Sequence, residues 1–322
     1  MPSRGETGAS GDAGVLAVAG DLVEDIVVWA SEPVHHATDT AARVHRARGG
    51  SAANVAALAA GLVPTRFIGR VGADAAGVAL EAALAAGGVD VRVQRAGRTG
   101  TVVLLVDVDG ERTMYPDRAA SADLGSVDAA WLDGVDWLHL PAYGFEREPM
   151  RGELARLARL ARAGGVTGAG QGAGTGTGAG AGVSIDASST GLLDGLGVAF
   201  ALELVRGIRP DVLFANEEEA ALLGLAGGGT VAASVARTVV VKHGALPTDV
   251  IVDGRLAARV DVEPVTGIRD LTGAGDAFAA GFLAATLRGA DASAAALAGH
   301  RVAASVLTQP GAHATETTSS ST

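Results

Sequence analysis

The chain has 322 residues, which is long for one typical domain and short for two, so we expect one large domain with a small appendage. Its hydrophobic content of 48% supplies a core, but only 3% of the residues are aromatic, so that core relies on close helix–sheet packing. The net charge of -11 argues against nucleic acid as a partner, and the absence of cysteine excludes disulfides, thiolate metal sites and a cysteine nucleophile.

The two ends of the chain are predicted to be disordered. Segment 1–14 is polar and rich in glycine, and segment 313–322 consists mainly of Thr and Ser. The apolar run Val15–Ala19 is too short for a signal peptide or a membrane span. We therefore expect a cytoplasmic protein with no membrane partner, folded over 15–312.

Strand and helix patterns alternate through the first half of the chain. The mixed segment 26–48 predicts strands of a small, half-exposed sheet, and an Ala-rich helix follows with Ser51 as its N-cap. Two β-rich runs over 91–108 end at the turn signal Asp109-Gly110, and we assign this hairpin to the small sheet. The other predicted elements of this half are the strands Val15–Ala19 and Thr65–Val71 and the helices Ser51–Ala60 and Val78–Ala86.

The second half alternates more regularly, which predicts βαβ units, a mainly parallel sheet and binding groups at the carboxyl ends of its strands. Segment 164–182 has Gly at nearly every second position and is predicted to be a flexible insertion. The predicted strands are Trp137–Leu140, Val183–Asp186, Val212–Asn216 and Val239–Lys242, and the predicted helices are Arg151–Arg162, Glu217–Leu223 and a long apolar helix that ends at Leu287.

The most informative segment is 270–276, Asp-Leu-Thr-Gly-Ala-Gly-Asp, which leads into that apolar helix. Gly273 and Gly275 flank Ala274, so the backbone can turn tightly and present N–H groups to an anion at the start of a helix. Asp276 is a candidate base that accepts the proton of a hydroxyl attacking a phosphoryl group. A plain turn with Asp276 capping the helix is the competing interpretation.

Segment 270–276 resembles the D-T-x-G-A-G-D motif of the ribokinase (PfkB-type) carbohydrate kinases. Gly49-Gly50-Ser-Ala-Ala-Asn54 resembles the G-G-x-x-x-N motif of the same family, and the resemblance covers about 15–312. Shorter matches in family order are Gly69-Arg-Val-Gly-Ala-Asp-Ala-Ala-Gly77, Thr99-Gly-Thr-Val-Val, Asn216-Glu-Glu-Glu219 and Val239-Val-Val-Lys-His-Gly244.

The resemblance implies an α/β fold, a ribokinase-like three-layer α/β/α domain with a mainly parallel sheet. It adds a small β-sheet lid, whose strands are expected at about 26–48 and 91–115. The implied activity is transfer of the ATP γ-phosphate to a hydroxyl of a sugar, with Asp276 as general base and the amides of 273–275 as anion hole. The implied cofactors are ATP, Mg²⁺ and, in some members, K⁺.

The remaining site residues are also implied by the resemblance. They are Asp25, Gly49, Gly50 and Asn54 for the acceptor, Asn216, Lys242, Gly244 and His300 for ATP, Glu219 for Mg²⁺ through water, and Asp270 for a monovalent cation. Plain structural roles compete at four of them: solvation at Asp25, helix capping at Asn54, a strand end facing water at Lys242 and a braced turn at Asp270. A solvated lid face is the simplest interpretation of Arg43, Arg46 and Arg48.

Two departures from the family pattern bear on the site. Asp117-Arg-Ala-Ala-Ser121 stands where many relatives have Gly-Ala-Asn near the acceptor, so acceptor contacts are expected to differ there. The turn at Gly244 lacks the second Gly that the family pattern has after it, so the nucleotide loop is expected to differ in shape from that of the relatives.

The alternatives are a nucleoside kinase, because ribose presents the same hydroxyls, and a non-catalytic sugar- or nucleotide-sensing protein on this fold. The lid offers only Trp29 and Tyr115 for stacking a base, which favours a free sugar. A phosphosugar acceptor would need a convergent basic cluster, which the lid arginines leave open. Lids in this family often pair between subunits, so the resemblance also implies a homodimer.

Overall fold

The computed structural model describes residues 13–164 and 180–308. The predicted disordered ends at 1–14 and 313–322 and the predicted insertion at 164–182 lie outside these residues, apart from the few positions that border them.

The strands and helices of the described residues follow one another in the order that their numbers give. The strands are β1 (Val15–Ala19), β2 (Val23–Ala30), β3 (Ala42–Gly49), β4 (Thr65–Val71), β5 (Asp90–Arg95), β6 (Thr101–Val106), β7 (Arg112–Asp117), β8 (Val135–Pro141), β9 (Gly182–Asp186), β10 (Val212–Asn216), β11 (Thr238–His243), β12 (Leu246–Val252) and β13 (Arg255–Val260). The helices are α1 (Ser51–Ala60), α2 (Ala75–Ala86), α3 (Met150–Arg162), α4 (Thr190–Leu196), α5 (Val198–Ile208), α6 (Glu217–Leu222), α7 (Thr230–Val235), α8 (Ala274–Leu287) and α9 (Ala292–Leu307).

Nine strands form one large sheet in the order β13-β12-β11-β10-β9-β8-β1-β4-β5. All neighbours from β11 to β5 pair in parallel, and only the β11–β12 and β12–β13 pairs are antiparallel. The sheet is therefore mainly parallel, as predicted. The carboxyl ends of β1, β8, β9, β10 and β11 meet at one edge, where parallel sheets place their ligands.

Helices cover both faces of this sheet. Successive residues of a strand point to opposite faces, and in β10 Leu213 packs into one core while Phe214 packs into another. The first core is covered by α3 to α7 and the second by α1, α2, α8 and α9. This is the predicted three-layer α/β/α arrangement.

A separate four-stranded sheet, in the order β3-β2-β6-β7, forms the lid. The antiparallel β6–β7 hairpin turns at Asp109-Gly110, where the sequence predicted a turn, and Gly110 has φ 84°. Val23, Val102 and Leu104 form a small apolar cluster of their own within the lid. The prediction of a small β-sheet lid is confirmed.

The prediction that 91–95 belongs to the lid is wrong. These residues lie in β5, which pairs in parallel with β4 at the edge of the large sheet. Val91 and Val93 pack against the core that α1 and α2 cover, so burial on that face fixes the strand there. The chain reaches the lid only after the turn at Gly97, which has φ 72°.

The prediction that Ser51 is the N-cap of α1 is also wrong. Helix α1 begins at Ser51, and Gly50 is the N-cap, with φ 99° and no side-chain cap. A Cβ at Gly50 would lie 2.5 Å from the carbonyl oxygen of Asp21, so both the backbone angle and the close approach require glycine. The Ser51 hydroxyl is thereby left to contact another element.

Candidate active site

A cleft of about 990 Å³ lies between the lid and the carboxyl ends of the parallel strands. Its walls come from the β1–β2 connection, the lid, the ends of β9, β10 and β11, the start of α8, and α9. Every predicted site residue except Gly49 and Asp270 lines this cleft. Residues that are far apart in the sequence are therefore brought to one place.

The carboxylate of Asp276 stands at the centre of the cleft, in the first turn of α8. Its Oδ1 accepts a hydrogen bond of 2.6 Å from the Ser51 hydroxyl, and its Oδ2 accepts one of 3.0 Å from the Asn54 amide. Both donors belong to the first turn of α1, so two helix starts meet at this carboxylate. The competing capping role of Asn54 does not account for this contact.

Burial raises the pKa of Asp276 to about 7, and the nearby carboxylates of Asp186 and Asp21 add to the rise. The hydrogen bonds from Ser51 and Asn54 act in the opposite direction because they stabilise the charged form. A carboxylate with a pKa near neutrality is a better proton acceptor than an ordinary one.

Arg48 reaches this network from the end of lid strand β3. Its Nη1 donates a 3.0 Å hydrogen bond to Oδ1 of Asn54, so the Asn54 Nδ2 is directed toward Asp276. Burial lowers the pKa of Arg48 to about 10, and the guanidinium stays charged at neutral pH. The interpretation of Arg48 as solvated lid face is therefore wrong, whereas Arg43 and Arg46 are exposed. Arg48 differs in burial because it lies near the end of β3, next to the start of α1, whereas Arg43 and Arg46 lie earlier on the strand.

Asp25 lies on lid strand β2, lines the cleft and is half-buried, which excludes the solvated interpretation. Burial raises its pKa to about 7, with a further contribution from Asp21. A Cβ at Gly49 would lie 2.0 Å from the Asp25 carboxylate, so the glycine makes room for this side chain. The predicted contact between Gly49 and the acceptor stays a prediction, and in the structure Gly49 lies against the side chain of Asp25.

Arg118 is a cleft residue that the motifs did not single out. Its Nη1 donates a 2.7 Å bond to the buried Asp21 carboxylate, and its guanidinium lies 4.2 Å from the Tyr143 ring centroid. Arg118 and Tyr143 both line the cleft. Arg118 belongs to the segment 117–121, which departs from the Gly-Ala-Asn pattern of the family. That departure was the feature of the sequence that could have identified Arg118 as a site residue.

Lys242, at the end of β11, stands beside the start of α8. Its Nζ donates a 2.9 Å bond to Asp186 and lies 3.4 Å from the position that a Cβ at Gly275 would take. Burial alone would lower the pKa of Lys242, but the Asp186 carboxylate holds it above the ordinary value. The side chain is only 15% exposed, so the interpretation of a lysine facing water is wrong.

The start of α8 has the features of an anion site. Gly273 is the N-cap, with φ 77°, and no side chain caps the helix. The first N–H groups of a helix have no partner within the helix and carry its positive dipole end. Gly273, Ala274 and Gly275 line the cleft with Lys242 beside them, and the Ala274 N–H donates a 3.3 Å bond to the carbonyl of Leu271.

Asn216 and Glu219 form a capping box at the start of α6. Both Glu219 carboxylate oxygens accept bonds from Asn216, at 2.8 Å from its N–H and 2.9 Å from its Nδ2. Burial raises the pKa of Glu219, with a further rise from Asp186. Each carboxylate oxygen has a second lone pair, so Glu219 can also accept a hydrogen bond from water in the cleft.

Another part of the cleft wall is formed by α9 and the β11–β12 turn. His300 packs edge-on against Phe278, with ring centroids 5.0 Å apart, and its Nε2 is buried without a hydrogen-bond partner among the described residues. Gly244 has φ 64° and makes the two-residue β11–β12 turn, so a tight hairpin forms without a second glycine. Asp270 lies outside the cleft, and its carboxylate contacts Arg112 of the lid.

Comparisons with known proteins give one family. A model described as pfkB family carbohydrate kinase matches residues 16–167 and 192–319. An ATP-dependent ribose-1-phosphate kinase from Halopiger xanaduensis is 34% identical over 252 residues, which span 76% of this chain and 74% of the relative. A fructokinase from Klebsiella pneumoniae is 31% identical over 286 residues, 84% of each chain.

Solved structures with the same architecture include an adenosine kinase and a ribokinase. The adenosine kinase of Sinorhizobium meliloti has a TM-score of 0.77 and 23% identity, covering 93% of this chain and 95% of its own. The ribokinase of Thermotoga maritima has a TM-score of 0.70 and 20% identity, covering 92% and 94%. At these identities the likeness concerns the fold.

Proposed function

The chain belongs to the pfkB family of carbohydrate kinases, and we propose that it transfers the γ-phosphate of ATP to a hydroxyl group of a sugar with Asp276 as general base. The observation that carries this proposal is the position of the Asp276 carboxylate. It lies in the first turn of α8, whose start has no side-chain cap, and it lines the same cleft as Lys242 and Asp25. We assign the Asp25 side of the cleft as the acceptor end.

The proposed reaction is an in-line displacement. The acceptor hydroxyl gives its proton to Asp276 as its oxygen forms a bond to the γ-phosphorus, and the bond from that phosphorus to the ADP oxygen breaks. The amides of 273–275 and the Lys242 ammonium face the charge that develops on the phosphoryl oxygens. Asp25 accepts hydrogen bonds from the acceptor's other hydroxyls and so orients the attacking oxygen.

Magnesium enters this proposal with the nucleotide, as the MgATP substrate. Among residues 13–164 and 180–308 no cluster of three or more His, Cys, Asp or Glu could hold a metal ion. Mg²⁺ bound to phosphates usually keeps several waters and takes one or two carboxylates. Glu219 fits a contact through water, because its two oxygens are fixed by Asn216 and it lines the cleft. Bound Mg²⁺ would neutralise charge on the phosphates.

A sugar phosphate is the second candidate acceptor, and Arg118 favours it. Its guanidinium lines the cleft, where it is held by Asp21 and Glu146 and lies over the Tyr143 ring, and arginine is a common ligand of phosphate. A relative named for ribose-1-phosphate supports the same class. The acidity of the acceptor end argues against a sugar phosphate and favours a neutral sugar, because this end contains Asp21, Asp25 and Asp276.

A nucleoside acceptor has less support. The two aromatic residues that the sequence offered for stacking a base, Trp29 and Tyr115, are absent from the described lining of the cleft. The apolar residues that the lid contributes to the lining are Val23, Val102 and Met114. These side chains are apolar, but they lack a flat ring for a base to stack on.

The experiment that tests the proposed function is ADP release with MgATP across neutral sugars, sugar phosphates and nucleosides. We expect strong turnover on one neutral sugar, and turnover on sugar phosphates alone would favour the Arg118 interpretation. A folded protein that binds ATP but turns over no acceptor in the panel would point to a sensing role.

The pKa of Asp276 predicts the pH dependence. A base must be deprotonated, so turnover should rise with pH through about 7 and level off above it. Ser51→Ala removes a hydrogen bond that lowers this pKa, so the inflection of the kcat profile should move to higher pH. The exposed Ser234→Ala is the matched control and should leave the profile in place. An unchanged inflection in Ser51→Ala would contradict the assignment of Asp276.

Two further expectations remain predictions. Pairing of lids in a homodimer is one, and a cytoplasmic location is the other. Within the described part of the chain, no helix has the length and apolar character needed to cross a membrane.

A further inference from the structure

An ion pair joins the lid to the loop that precedes the anion site. Arg112 is the first residue of lid strand β7, and Asp270 begins the turn that leads to Gly273 and α8. The Arg112 Nη2 lies 2.5 Å from the Asp270 Oδ1, with side-chain exposures of 25% and 6%. The acidic partner is thus almost completely buried, unlike the partner in an ordinary surface pair.

Asp270 also organises its own turn. Its Oδ1 accepts a 2.7 Å bond from the Thr272 N–H, and the Arg269 N–H is bonded to the carbonyl of Leu307 at the end of α9. Burial alone would raise the pKa of Asp270, but the bonds from Thr272 and Arg112 hold it below the ordinary value. The Asp270 carboxylate is therefore ionised. The charge of Arg112 stabilises this carboxylate, which in turn holds the turn that leads to Gly273 and the start of α8.

The position of Arg112 does not fit the monovalent cation that the resemblance implied at Asp270. A K⁺ ion there would need the charge of this carboxylate, which the guanidinium already neutralises. It would also lie within a few ångströms of a fixed positive group, and like charges at that distance repel strongly when partly buried.

We propose that Arg112 takes the place of a monovalent cation at Asp270, so that phosphoryl transfer by this kinase does not depend on K⁺. The inference rests on the proposed function for its kinetic readout. Arg112 is a positioning residue: it acts through Asp270 on the turn that sets the anion site.

The kinetic test compares turnover in KCl, NaCl and choline chloride at equal ionic strength. Wild type is expected to show the same rate in all three. Arg112→Ala should lose about 10- to 100-fold in choline chloride, because the turn is displaced, and should recover most of it in KCl. Arg112→Lys keeps the charge and should remain independent of K⁺. Arg46→Ala, on an exposed lid arginine, is the matched control and should behave as wild type.

A second readout needs no turnover. The melting temperature is followed as K⁺ replaces choline, and it should rise for Arg112→Ala and stay constant for wild type. If no acceptor is turned over, the proposed function fails while this measurement still tests the cation site. Activation or stabilisation of wild type by K⁺ would overturn the inference. So would an Arg112→Ala variant that K⁺ neither activates nor stabilises.

Discussion

Asp276→Asn is expected to reduce turnover by about 10²- to 10⁴-fold while ATP binding stays nearly intact. The amide has almost the same shape as the carboxylate, but it cannot take the proton of the attacking hydroxyl. ATP contacts the amides of 273–275 and Lys242 in this account, and the substitution leaves those groups in place. The loss should therefore lie in kcat.

The measurement is kcat by ADP release together with the dissociation constant for MgATP by equilibrium titration. Asp194→Asn, on the exposed surface of α4, is the matched control and should keep the wild-type rate. A melting curve shows whether Asp276→Asn is folded. A folded variant with wild-type kcat would remove Asp276 from the mechanism.

Asp25→Ala is expected to weaken use of the acceptor by about 10²-fold, measured as kcat/KM, because a hydrogen bond to a charged group is worth about 1.5–3 kcal/mol. The KM for ATP should change little, since Asp25 lies on the lid strand β2 and the groups proposed to bind ATP lie on α8 and β11. A loss in kcat/KM for the acceptor with an unchanged KM for ATP indicates a lost acceptor contact, whereas general damage to the fold would affect both substrates.

Glu24→Ala is the matched control for this test. Glu24 neighbours Asp25 on β2, but its side chain is paired with the exposed Arg46 at 3.5 Å. Exposed pairs contribute little, so this variant should keep both KM values. Equal losses for acceptor and ATP in Asp25→Ala would refute the assignment of Asp25 to acceptor binding.

Local patterns predicted the central elements of the large sheet well. The predicted bounds of β1 and β4 match those of the structure, and β1 is an apolar run that ends at Gly20-Asp21. The sheet assignment of 91–95 failed because two β-rich runs split by Gly97-Arg98 look like neighbouring strands of one sheet, whereas β5 pairs with the earlier β4. Pairing between distant strands depends on burial, and the local pattern does not contain that information.

The antiparallel β12–β13 extension and helix α9 did not form part of the sequence prediction. Helix α9 is rich in Ala and packs its small residues against α8, with Gly281 and Gly299 at the close approach. A Cβ at Gly281 would lie 2.7 Å from the carbonyl oxygen of Ala298. Such a helix lacks the large apolar residues that mark an amphipathic face, so its pattern is weak.

The motifs identified most of the residues that line the cleft, but not how they are connected. Ser51 is separated from Asp276 by 225 positions, and nothing in the local sequence indicates their hydrogen bond. Asp21 and Asp186 could have been found, because each lies at or just beyond the carboxyl end of a predicted buried strand. Arg48 and Arg112 could not have been identified from the sequence. Arginines of the lid that face solvent and those that face the site lie in similar local sequences.

The most direct test of the central claim is phosphorus NMR of the products formed from MgATP and the acceptor with the highest ADP release. We expect a new phosphate monoester resonance that grows in step with ADP in wild type and is absent in Asp276→Asn. Release of inorganic phosphate in place of a phosphorylated acceptor, or a monoester formed equally well by Asp276→Asn, would contradict it.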